Sequence, residues 1–249
     1  MDEVRPRTFD AICAGATFDL TRGGAVNVGL ALARSGHRVA VATSGTVARS
    51  LQVELVARRV ELSVAQPEAG LLLGETAFSV PEEWSSRLLL LSGVAPSVPY
   101  AAAMCRAARA ARRKQAIVVL DLNAHWNRWR GHDPRSMRAL LREADVVRCG
   151  PEDLAMLGSD ATAMTTLLRR DAVSVVTNAL GITTAFGAFG HVAVSPARQR
   201  HLRVVGAGDA LTGAICAALV SRADRGEEFW HRALGAGHAA AAAVVAPIP

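Results

Sequence analysis

Short apolar runs alternate along this chain with longer runs rich in alanine, leucine and arginine, and this alternation restricts the fold more than any other feature. The short runs predict strands at residues 9–16, 38–44, 86–93, 116–123, 144–150 and 172–178. The longer runs predict helices at residues 25–35, 97–114, 134–143 and 151–169. Strands that alternate with helices form a mainly parallel sheet covered on both faces. We therefore expect an α/β fold built as a three-layer, doubly wound sheet.

The rest of the chain extends this pattern without a visible break. After residue 180 a glycine-punctuated run predicts hairpin strands, and helices are predicted at about 208–222 and 226–245. The length of 249 residues with 51% hydrophobic residues suits a single α/β domain over residues 1–249. No run has the ~18 apolar residues of a membrane helix, and the first residues lack the apolar core of a signal peptide. We expect a cytoplasmic protein with no membrane partner.

The charge balance favours a small anionic ligand over nucleic acid. Lys and Arg number 28 against 22 Asp and Glu, which gives a net charge of +6. The arginines are spread through predicted helices, and only 4% of the residues are aromatic, so nucleic acid bases would find few side chains to stack on. The cysteines show no CxxC pair, which indicates buried thiols rather than a zinc site.

The stretch VVGAGDALTGA places an acid directly after three small residues at the start of a predicted helix. The first N–H groups of a helix are unpaired, and small residues allow an anion to approach them closely. An acid there would repel a phosphate unless it removed a proton from a hydroxyl that attacks the phosphate. The alternative is an ordinary helix start with Asp209 as a first-turn acid. The spacing fits neither a dinucleotide fingerprint nor a P-loop.

Three motifs, taken in order, resemble those of the ribokinase-like, PfkB-type carbohydrate kinases. They are GG-x-x-N at residues 23–27, D-x-N at 121–123 and GAGD at 206–209, and the resemblance covers nearly the whole chain. It implies a doubly wound α/β fold, although the spacing in this chain indicates that the family's lid is reduced or absent. It also implies transfer of the γ-phosphoryl group of ATP, with Mg²⁺, to a hydroxymethyl group of a sugar, nucleoside or related alcohol.

The resemblance also implies a role for individual residues. The implied catalytic residues are Asp209, as general base, and Gly206, Ala207 and Gly208, as anion hole. The implied substrate-binding residues are Asp19, Gly23, Gly24, Asn27, Asp121 and Asn123. The implied nucleotide-binding residues are Thr177, Asn178, Gly181 and Arg203, and Asp153 is the implied metal residue. Each has an ordinary alternative: Asn27 could support a helix start, and Asp121 could end a buried strand.

The chain also departs from the family pattern. Gly150 and Asp153 stand where the family has N-x-x-E, and Ala179 replaces the first glycine of the usual ATP loop. Residues 19 and 23 leave little room for the usual lid insertion, although residues 70–80 could supply a cover. The second hypothesis is therefore a catalytically weak or inactive ribokinase-fold protein that binds a small ligand in a regulatory role. The acceptor and the presence of a homodimer are left open.

Overall fold

The computed structural model describes residues 6–16, 24–44, 47–65, 78–124, 129, 132–196 and 206–245. The strands are β1 (Arg7–Ala16), β2 (Val39–Ser44), β3 (Glu61–Ala65), β4 (Trp84–Ser92), β5 (Ile117–Asp121), β6 (Val146–Cys149), β7 (Val173–Thr177), β8 (Thr183–Gly187) and β9 (Gly190–Val194). The helices are α1 (Gly24–Arg34), α2 (Arg49–Ala57), α3 (Val98–Arg113), α4 (Arg135–Leu141), α5 (Pro151–Leu157), α6 (Met164–Leu167), α7 (Ala207–Ser221) and α8 (Glu227–Val245).

The described strands form one sheet in the order β3-β2-β1-β4-β5-β6-β7-β8-β9. The pairs from β3 to β7 are parallel, and β8 and β9 add an antiparallel hairpin at one edge. The chain winds outward from β1 to β3 and then returns to place β4 on the other side of β1. The strand order therefore reverses between β1 and β4, and ligands of such sheets bind at the carboxyl ends of the strands beside this point.

Apolar residues on the two faces of the sheet form separate cores. One core packs α3 and α4 against the sheet through residues such as Leu91, Tyr100, Met104 and Met137. The other packs α1, α7 and α8 against the opposite face through residues such as Val28, Ile215 and Trp230. This arrangement confirms the expected three-layer, mainly parallel α/β fold.

The structure also corrects the element boundaries expected from the sequence. Helix α2 and strand β3 were not predicted, and the single helix expected over 151–169 is wrong because it divides into α5 and α6. Gly158 ends α5 in the left-handed region, with φ of 60°. Asp160 then accepts the N–H groups of Thr162 and Ala163 and begins a new turn. In the described part of the chain, no helix has the length and apolar character needed to cross a membrane.

Candidate active site

The predicted catalytic residues surround the first turn of α7, beside the carboxyl ends of the central strands. Gly206 precedes the helix with φ of 96°, a conformation that favours glycine, and its carbonyl accepts the N–H of Ala210 at 2.9 Å. Ala207, Gly208 and Asp209 follow as the first residues of α7. The N–H groups at this end of the helix have no earlier helical carbonyl to bind. Unpaired N–H groups at a helix start can donate to an anion or to another electronegative atom.

Asp209 is held by a residue from a different helix. The Asn27 amide, in the first turn of α1, donates from Nδ2 to Oδ2 of Asp209 at 2.6 Å. Burial raises the pKa of Asp209 and the nearby charge of Asp121 raises it further, while the Asn27 hydrogen bond and Arg148 act in the opposite direction. The result is a partly buried carboxyl group whose pKa lies above that of an ordinary aspartate. Such a group is a better proton acceptor than a solvated one.

A close contact between α1 and α7 sets the distance between Asn27 and Asp209. Gly213 and Ala31 each lie one helical turn after Asp209 and Asn27, respectively. A Cβ atom added at Gly213 would lie only 2.9 Å from Cβ of Ala31. The two helices can therefore approach this closely only because residue 213 has no side chain.

Gly24 lies where polar groups from other elements converge. An added Cβ at Gly24 would collide with Oγ of Ser92, and it would lie 3.2 Å from Nδ2 of Asn123 and 3.3 Å from Oδ1 of Asp209. Ser92 ends β4, and its buried hydroxyl has no hydrogen-bond partner within the part of the chain that the structure describes. Asn123 follows β5 with φ of 38°. The structure thus brings Gly24, Asn27, Asn123 and Asp209, which sequence analysis assigns to one site, close together.

Asp121 connects the sheet to α7. Its side chain is fully buried, and it accepts hydrogen bonds from Thr212 Oγ1 at 3.1 Å and from Arg148 Nη1 at 3.3 Å. Burial by itself would lower the pKa of Arg148, but the charges of Asp121 and Asp153 raise it above the ordinary value. Sequence analysis did not select Arg148. The available signal was one arginine within the otherwise apolar strand β6.

Asp153 is engaged with backbone groups. Oδ2 accepts the N–H of Gly150 at 2.7 Å and Oδ1 accepts that of Ala124 at 2.9 Å, so the carboxyl group caps α5 and fixes the segment after β5. Burial is the main cause that raises its pKa, to about 6. Among the described residues, no group of three or more His, Cys, Asp or Glu side chains could hold a metal ion. Magnesium in proteins usually keeps several water ligands and needs only one or two carboxylates, so the lack of a larger donor group does not argue against Asp153 as its ligand.

The predicted nucleotide-binding residues lie at the turn between β7 and β8. Oδ1 of Asn178 accepts the N–H groups of Leu180 at 2.9 Å and Ile182 at 3.0 Å. Gly181 has φ of 79° and packs beside Pro196, while the hydroxyls of Thr177 and Thr183 lie 3.1 Å apart. Thr177, Asn178 and Gly181 therefore form one structured turn.

Three predicted site residues lie outside the described part of the chain. They are Asp19, Gly23 and Arg203.

The architecture is the ribokinase-like α/β fold of sugar and nucleoside kinases. Aminoimidazole riboside kinase from Salmonella enterica superposes with a TM-score of 0.76 at 16% sequence identity, covering 97% of this chain and 94% of that chain. Fructokinase with bound ATP from Xylella fastidiosa gives 0.75 at 20% identity, covering 96% and 92%. The PfkB protein from Polaromonas sp. JS666 gives 0.71 at 18% identity, covering 97% of both chains. The sequence itself matches no protein-family model and no curated protein.

Proposed function

We propose that this chain is a PfkB-type kinase that transfers the γ-phosphoryl group of ATP to a hydroxymethyl group of a sugar, nucleoside or related alcohol. The observation that carries the proposal is the partly buried carboxylate of Asp209, which follows a turn of small residues and is held by Asn27 at 2.6 Å. The structural neighbours support it, since they include a fructokinase with bound ATP and an aminoimidazole riboside kinase complexed with its riboside and an ATP analogue.

In this mechanism, Asp209 removes the proton of the acceptor hydroxyl. Oδ2 is held by Asn27, so Oδ1, which faces Gly24, is the atom available to receive the proton. The acceptor oxygen then bonds to the γ-phosphorus while the bond from that phosphorus to the β,γ-bridging oxygen breaks, and ADP leaves with the electron pair. The N–H groups of the Gly206–Gly208 turn stabilise charge on the transferred group.

The remaining predicted residues bind and orient the two substrates. We assign Gly24, Asn27 and Asn123 to the acceptor, together with Asp19 and Gly23, which lie outside the described residues. Asp121 is fully buried, so it would serve the acceptor side by positioning Thr212 and Arg148. We assign Thr177, Asn178 and Gly181 to the nucleotide, together with Arg203, which also lies outside the described residues. Asp153 would help to hold Mg²⁺, and the bound ion would supply positive charge that offsets the charge of the phosphates.

The test is ADP release from Mg-ATP across a panel of sugars, sugar phosphates and nucleosides. We expect release that depends on one class of acceptor and falls by about 10²–10⁴-fold in Asp209→Asn, because loss of a general base has this effect. The asparagine keeps the shape and can still accept the Asn27 hydrogen bond. Asp171→Asn, at an exposed turn before β7, is the matched control. Equal turnover by Asp209→Asn would contradict the mechanism.

One observation favours the second candidate, a ribokinase-fold protein that binds a small ligand without catalysis. The Asn178 side chain is used to close its own turn, and Ala179 occupies the position where the family usually has a glycine. Absence of acceptor-dependent ADP release from folded protein, with ligand binding retained, would favour this candidate.

A further inference from the structure

One charged side chain beside the first turn of α7 belongs to none of the motifs. Arg148 lies in the four-residue strand β6, between Val147 and Cys149, and only 15% of its side chain is exposed. Burial of a guanidinium costs free energy unless charge pairing and hydrogen bonds compensate it. The buried position of Arg148 therefore requires contacts that compensate the cost of burying its charge.

The guanidinium packs directly against Gly208. A Cβ atom added there would lie 3.1 Å from Nη2, 3.4 Å from Nη1 and 3.5 Å from Cζ of Arg148. Gly208 lies in the first turn of α7 and does not have a positive φ, so its backbone conformation does not require glycine. The absence of a side chain at residue 208 instead allows the arginine to approach the turn.

The hydrogen bond to Asp121 involves one of the three nitrogens of the guanidinium. Asp121 accepts from Nη1 at 3.3 Å, and the buried Nε has no hydrogen-bond partner among the described residues. A guanidinium typically binds a carboxylate or phosphate through two parallel N–H bonds at about 2.7–2.9 Å. The pairing with Asp121 is therefore longer than this and has a single contact. Nη2 is the nitrogen that lies nearest the α7 turn.

Among the described residues, the charged side chains that interact with Arg148 are carboxylates. Asp121, Asp153 and Asp209 all interact electrostatically with Arg148. The two oxygens of Asp153 each accept a backbone N–H, from Gly150 and from Ala124. A phosphate that approached these carboxylates would be repelled unless a cation lay beside it.

We propose that Arg148 binds the transferred phosphoryl group through Nη2, as a side-chain cation beside the N–H groups of the Gly206–Gly208 turn. The inference deepens the proposed kinase function and rests on it. Arg148 would stabilise the negative charge of the terminal phosphate and of the group in transfer, while Nη1 remains on Asp121. A purely structural arginine would neutralise Asp121 and would not discriminate between ligands with and without phosphate.

The test compares binding of ATP and of adenosine by titration calorimetry, first with magnesium removed by EDTA and then with magnesium present. In Arg148→Gln we expect the affinity for metal-free ATP to fall at least tenfold, while the affinity for adenosine changes less than twofold. The control Arg169→Gln removes an arginine that pairs with Asp145 at the amino end of the same strand. It should leave both affinities unchanged.

A second comparison covers the case in which Arg148→Gln does not fold because Asp121 is left unpaired. The double variant Arg148→Gln/Asp121→Asn removes both charges, and it is compared with Asp121→Asn alone. We expect the same selective loss of ATP affinity in the double variant. An equal loss for ATP and adenosine, or unchanged ATP binding, would overturn the role of Arg148. Wild-type protein that binds ATP in neither condition would instead overturn the proposed function, and this inference with it.

Discussion

At the scale of single residues, the environment of Asp209 sets the pH range in which it can act. A general base must be unprotonated, so turnover falls as the pH drops through its pKa. Burial and the charge of Asp121 raise the pKa of Asp209, so we expect the acidic limb of the kcat/KM profile to lie above the pH range of an ordinary aspartate. Asn27→Ala removes a hydrogen bond that lowers this pKa and should move the limb to still higher pH.

The measurement is kcat/KM against pH for wild type and Asn27→Ala with one saturating nucleotide concentration. Gln52→Ala is the control, because Gln52 is a residue of α2 whose amide donates to the carbonyl of Val47 and not to Asp209. A limb that stays in place, or moves to lower pH, in Asn27→Ala would show that Asp209 is not the titrating group.

Site residues could be identified from the sequence where the residue type is unusual in its context. They could not be identified where their role depends on a partner far away along the chain. GAGD was selected because small residues and an acid at a helix start have a direct chemical meaning, and Asn27 was selected through the resemblance of GG-x-x-N to the kinase motif. Arg148 was missed, and Ser92 was not assigned a role. Their importance comes from contacts with Gly208 and Gly24, which lie far away along the chain.

At the scale of elements, the contact between α1 and α7 determines how closely Asn27 can approach Asp209. Gly213→Ala adds a methyl group at a point 2.9 Å from Cβ of Ala31, so the helices must separate. Overpacking of this kind costs about 1–3 kcal/mol, against roughly 0.5–1 kcal/mol gained by alanine in a helix. We expect a lower free energy of unfolding and a lower kcat, measured by denaturant unfolding and ADP release.

Two further variants isolate this contact. Gly213→Ala combined with Ala31→Gly transfers the methyl group to the other helix and should restore much of kcat. Gly235→Ala, on α8, adds a methyl group with no heavy atom within 4 Å and should increase stability by about 0.5–1 kcal/mol. Failure of the double variant to recover turnover would show that helix separation is not the cause.

Element prediction succeeded where hydrophobic pattern and length agreed, as in β4 and α3. It failed over residues 49–65, where α2 and β3 mix charged and apolar residues: β3 lies at the edge of the sheet, and all its side chains are only partly buried. Periodicity identifies elements that bury one face, so an edge strand of this kind gives a weak signal. The fold class was still predictable because the central parallel strands, which define it, have a clear hydrophobic pattern.

At the scale of the whole molecule, the net charge of +6 is consistent with either a phosphate-containing small ligand or a polyanion, and the two differ in their dependence on salt. Binding to nucleic acid releases counterions and weakens steeply as salt rises. A nucleotide held in a formed site also depends on specific contacts of its base and ribose. Its binding should therefore persist at salt concentrations that abolish non-specific polyanion binding.

Thermal unfolding with Mg-ATP at low and high salt separates these cases. Specific binding to the native state contributes about 2.7 kcal/mol at a ligand concentration of 100 Kd, which corresponds to a Tm increase of roughly 5–11 °C for a chain of this size. We expect this increase in wild type and in Asp209→Asn at both salt concentrations, because the base is not needed for nucleotide binding. A single-stranded oligonucleotide is the comparison ligand. An increase that occurs only with the oligonucleotide and disappears at high salt would assign the positive charge to polyanion binding instead.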